Sequence, residues 1–109
     1  MMVFEFDRSP TEVTVYGEVH EIPTKTSYFV DEINKAHKDI SSAESSADAT
    51  KATLRGIALF LGEKFVKEHF PDTEKVDTDE IGALWIFLNR ASAQATAEVL
   101  KKYAPAKLS

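Results

Sequence analysis

The chain has 109 residues, a formal net charge of −5, 43% hydrophobic and 28% charged residues, and no cysteine. That length suits one domain with a core of its own, and the composition argues against wholesale disorder. Without cysteine there are no disulfides, thiolate metal sites or cysteine nucleophiles. The charge is uneven: residues 1–50 hold ten acids and four bases, residues 51–109 eight acids and nine bases. No basic surface of the kind that holds nucleic acid is evident. The acidic first half either serves solubility or faces a basic protein partner.

The opening Met1–Asp7 lacks the basic start and long apolar stretch of a secretory signal. The longest apolar runs, Ile57–Leu61 and Leu84–Leu88, are far shorter than the roughly 20 residues that span a bilayer. The expectation is a cytoplasmic protein with no membrane contact.

Val3, Phe4 and Phe6 form a short β-prone run, interrupted by turn chemistry at Arg8-Ser9-Pro10-Thr11. Val13 and Val15 alternate with polar neighbours, as on a half-buried strand. Gly17 supplies the positive φ of a tight hairpin turn, and Pro23 ends the pairing because it has no N–H to donate. The first 23 residues therefore predict a small antiparallel sheet of two or three strands that must pack on helices.

The first helix starts near Thr26 or Ser27, either of which can cap it. Phe29, Ile33, Ala36 and Ile40 recur at helical spacing. The small, polar segment Ser41–Ser46 predicts a break. The second helix covers Asp48–Leu61, Gly62 weakens or ends it, and Glu63–His69 continues for another turn or two. Phe70-Pro71-Asp72 closes that segment. Asp77-Thr78-Asp79-Glu80 matches a capping box, with Asp77 as cap and Glu80 reaching back. Ile81, Leu84, Trp85, Leu88, Ser92, Ala95, Val99 and Tyr103 then mark one continuous stripe. Lys101 and Lys102 suit the negative end of the dipole, and Pro105 stops the helix. The predicted fold is α+β and mainly α. It is a single domain over 1–109, with a β-hairpin in 1–23, helices one and two in 26–70, and a long C-terminal helix in 77–103.

Chemistry-bearing patterns are sparse. His20, His37 and His69 are scattered without the one-turn spacing of a zinc helix. The acids Asp72, Glu74, Asp77, Asp79 and Glu80 lack the glycine and register of a calcium loop. No glycine-flanked nucleophile elbow or phosphate cradle is present. The reading is a non-enzymatic protein with no catalytic residue, no cofactor and no metal.

The placement of apolar residues is more informative. Leu84–Leu88 and Ile57–Leu61 are apolar around the whole helix circumference, whereas a surface helix shows one stripe. Both belts can serve as central core helices. A face left uncovered would bind another chain, by self-association or as a groove for an amphipathic helix. Trp85 shares the stripe with Ile81, Leu88 and Ser92 and is assigned to the core. Ile86, Phe87, Ala83 and Phe60 are assigned to the partner-binding face. Ala91, Ala93, Ala95 and Ala97 make a slim stretch that lets a neighbouring helix approach closely.

Two stretches resemble a family of tail assembly chaperones of long-tailed bacteriophages and prophages. One is Thr14-Val15-Tyr16-Gly17-Glu18-Val19-His20-Glu21-Ile22-Pro23, like the strand, glycine turn, strand and proline that open such proteins. The other runs from Leu61-Gly62-Glu63 to Phe70-Pro71, through the capped helix at Asp77, to Lys102-Tyr103-Ala104-Pro105. The resemblance implies a non-enzymatic protein that binds the helical tape-measure protein, keeps it soluble and helps recruit the tail-tube protein around it. It also implies action in the host cytoplasm and absence from the mature virion. The segment before Thr11 departs from the family pattern. Two other readings are a structural tail or head–tail connector component, and an acidic inhibitor that blocks a basic partner.

Overall fold

The computed structural model describes residues 1–7 and 10–103. The turn expected at Arg8-Ser9 and the helix stop at Pro105 lie outside the described residues. The chain is α+β and mainly α: a two-stranded antiparallel hairpin is followed by four α-helices. The elements are β1 (Glu12–Val15), β2 (Glu18–Glu21), α1 (Ser27–Ser41), α2 (Ser46–Leu61), α3 (Glu63–His69) and α4 (Thr78–Tyr103), with a 3₁₀ turn at Thr73–Lys75 before α4.

Tyr16 and Gly17 form the hairpin loop with φ of 49° and 80°. Two positive φ values define the primed turn that matches strand twist, and glycine enters that region at no steric cost. The register pairs Val13 with His20 and Val15 with Glu18. Val15 is buried and Val13 and His20 are half-buried, while Thr14 and Val19 face solvent. The third strand does not form: residues 1–7 belong to no strand. Phe4 and Phe6 instead lie against the Tyr103 ring at the end of α4, with centroids 5.6 and 5.4 Å away. Asp7 fixes this arm by accepting from Lys102 Nζ at 3.0 Å, and its N–H donates to the Tyr103 hydroxyl at 2.6 Å. Aromatic contact and an ion pair thus take the place of strand pairing.

The helix boundaries follow their caps. The Thr26 hydroxyl accepts from the Phe29 N–H at 3.1 Å to open α1. The Ser45 hydroxyl accepts from Asp48 N–H at 3.1 Å, so α2 begins before the expected Asp48. Gly62 at φ 93° separates α2 from α3, because few other residues adopt that geometry. Asp77 accepts from the N–H groups of Asp79 and Glu80 at 2.9 and 3.3 Å. The second half of the capping box is absent, since the Glu80 carboxylate instead accepts from the Tyr16 hydroxyl.

The core is centred on α2, which packs against α1, α3 and α4. Ile57, Ile81 and Leu88 are fully buried. Phe60 sits between Phe29 and Trp85, at centroid distances of 5.4 and 6.0 Å. Gly56 is buried directly beneath the Trp85 indole, which leaves no room for a Cβ. The Cα radius of gyration is 16.5 Å, against about 13 Å for a spherical domain of this length. The long axis, 59 Å, is consistent with α4 continuing past Ala95, its last buried residue, to carry the N-terminal arm.

Candidate interaction surfaces

Three of the four residues assigned to partner binding share one face of α4. Ala83, Ile86 and Phe87 are exposed, Ile86 at 52% and Phe87 at 46%. Positions three and four apart are neighbours on a helix, so Ala83 lies between and below Ile86 and Phe87. Arg90, four residues after Ile86, is also exposed and borders the patch. The opposite side of the same helix carries Ile81, Leu84, Trp85, Leu88, Ser92 and Ala95, all buried. The all-round apolar belt therefore divides into an inner half that makes the core and an outer half that faces solvent. Phe60 must be removed from the binding face: it is 5% exposed, enclosed by Phe29 and Trp85. Its helix is covered by α1, α3 and α4, as the central-helix alternative for that belt expects.

Two further apolar surfaces were not legible from periodicity. Met1, Met2, Val3 and Phe4 are exposed on the arm, where Phe4 lies against Tyr103. A groove of about 580 Å³ also runs between α2 and α3, lined by Leu54, Ala58, Val66, Phe70 and Pro71, with Lys51, Arg55 and Lys67 among its lining residues. The first joins the two ends of the chain, and the second lies between consecutive helices. The only cue was apolar residues outside the main stripes.

The hairpin docks on α3 and the start of α4 through Tyr16. Its ring stacks on Phe65 at 6.1 Å and meets Phe70 edge-on at 6.3 Å, while its hydroxyl donates to Glu80. This anchorage holds a bulky residue at positive φ, a conformation that needs surrounding support. Partial shielding from solvent, and then the hydrogen bond to and charge of Glu80, push the Tyr16 phenol up to about 12. A phenol raised above its ordinary value near 10 contributes stability fully below that value and loses it as pH rises through the folded value. Stability should therefore fall between about pH 10 and pH 12 through Tyr16. Ultraviolet titration should show a late tyrosine phase, and Tyr16→Phe should remove it. A late phase retained in Tyr16→Phe would contradict the assignment.

Beside Tyr16, the hairpin and α3 bring together side chains that the sequence keeps apart. His69 Nε2 lies 2.7 Å from Glu18 Oε2, and His20 Nε2 lies 4.0 Å from Glu18 Oε1. Two of the three histidines thus converge on one carboxylate. The ligand atoms that lie within 4.8 Å of one another come from Glu18, Glu68 and His69, and folding, not local spacing, sets these separations. His37 stands apart, 4.9 Å from the Trp85 ring and 3.2 Å from Asn89 Oδ1.

Among the described residues, no helix is long and apolar enough to cross a membrane. Comparisons with protein-family models, with curated proteins and with solved structures found no match.

Proposed function

We propose that the protein is a non-enzymatic assembly chaperone of the phage-tail type, which binds a long helical tape-measure protein and assists tail-tube assembly in the host cytoplasm. The observation that carries this reading is the outer face of α4. Ile86 and Phe87 stand half-exposed next to Ala83, on a helix whose opposite side is committed to the core as far as Ala95. Fully burying a side chain of that size is worth about 1.5–3 kcal/mol relative to leaving it in water. A flat apolar stripe flanked by a small residue suits an amphipathic client helix, whose successive turns repeat one contact. The strand–glycine–strand opening and capped long helix that resemble this family supply the choice of client.

Coexpression with the tape-measure protein of the same genome tests the proposal. The client should stay soluble and copurify with the wild-type chain. Ile86→Glu and Phe87→Glu should abolish copurification while the far-ultraviolet circular dichroism stays unchanged. Equal client solubility with and without the chain would refute the reading.

A further inference from the structure

We propose that Glu18, Glu68, His69 and His20 form a zinc-binding site that staples the hairpin to α3. One ligand atom each from Glu18, Glu68 and His69 lies within 4.8 Å of the others. His20 approaches the same Glu18 carboxylate, its Nε2 4.0 Å from Oε1. That nitrogen is shielded from solvent and has no hydrogen-bond partner, although the ring is only 17% exposed. Buried polar atoms are ordinarily satisfied, so an orphaned imidazole nitrogen aimed at a carboxylate already shared with a second imidazole marks a place for a cation.

The donor set selects the ion. Imidazole with carboxylate suits zinc, whereas calcium and magnesium prefer all-oxygen shells. Zinc holds nitrogen and oxygen donors at about 2.0–2.2 Å, so tetrahedral donors stand about 3.3–3.6 Å apart. The 2.7 Å pair of His69 and Glu18 must therefore open and the wider separations close. Glu68 is exposed, and its ion pair with Lys64 at 3.9 Å is a loose one, so its side chain can close in. The hydrogen that His69 Nε2 donates to Glu18 moves to Nδ1 or to solvent, freeing the lone pair for the metal. His20 and Glu18 come from β2, and Glu68 and His69 from α3, so the ion joins two elements already in contact through Tyr16 and His20 on Phe65. None of its residues belongs to α4, and the proposal does not depend on the chaperone reading.

The test uses tag-free, full-length, chelator-treated protein titrated with zinc chloride, followed by calorimetry, elemental analysis and thermal melting. One zinc per chain should bind, and the melting midpoint should rise because the ion binds only the folded arrangement. Glu68→Gln, a surface change that leaves the fold intact, should weaken binding about tenfold or more. His69→Ala should abolish binding, His20→Asn should weaken it, and His37→Ala should leave it unchanged. Absence of saturable binding would overturn the proposal. Binding that survives Glu68→Gln and His69→Ala unchanged would be adventitious and would overturn it equally.

Discussion

Trp85→Ala should destabilise the protein by about 3–5 kcal/mol, the usual cost of deleting a large buried aromatic. The indole is 8% exposed and meets Phe60 at 6.0 Å and His37 at 4.9 Å. It also roofs Gly56 of α2. Its removal opens a void at the contact between α2 and α4, which no flexible loop can fill. For a domain of this size the melting midpoint should drop by more than about 12 °C. A drop of only a few degrees would mean that the α2–α4 contact does not hold the core together. Phe87→Ala, two positions further on, should move the midpoint little, because that ring is half in water.

The second large effect is at Gly56. A Cβ there would lie 2.5 Å from Cζ3 and 2.7 Å from Cη2 of Trp85, well inside contact distance. In an exposed helix, glycine to alanine gains about 1 kcal/mol from propensity. Here the indole is boxed by Phe60 and His37 and cannot swing away freely. Overpacking costs about 1–3 kcal/mol, so Gly56→Ala should be net destabilising. The same substitution made in the Trp85→Ala background should become stabilising, since the clash is gone and the propensity gain remains. Denaturant melts of the four proteins in this cycle measure the coupling directly. Equal effects of Gly56→Ala in both backgrounds would show that the close approach does not exist.

Local signals carried most of the fold. The Tyr16-Gly17 turn, the Thr26 cap, the Gly62 break and the Asp77 cap each act within a few residues, and the structure has all four. Most of the α4 stripe was legible for the same reason: Ile81, Leu84, Trp85, Leu88, Ser92 and Ala95 repeat at helical period and are buried, whereas Val99 is only half-buried and Tyr103 is exposed. What depended on distant contacts was not legible. Val3, Phe4 and Phe6 have strand propensity, but no pairing edge claims them, and the Tyr103 ring does. Glu80 has the spacing of a capping-box partner, but Tyr16, 64 residues earlier, takes its carboxylate. Phe60 and Phe87 are equally apolar. The packing of α1 and α4 on α2 decides that the first is inside and the second outside. The meeting of His20 and His69 at Glu18 likewise follows from hairpin docking, which no local spacing encodes.

The most direct test of the account separates stability from association on the outer face of α4. Wild-type chain and the Ile86→Ala/Phe87→Ala double variant are compared by thermal melting and by sedimentation velocity with the coexpressed tape-measure protein. The account predicts closely similar melting midpoints and a complex that forms with wild type and is lost in the variant. A variant that melts far below wild type, or that sediments with the client as wild type does, would contradict it.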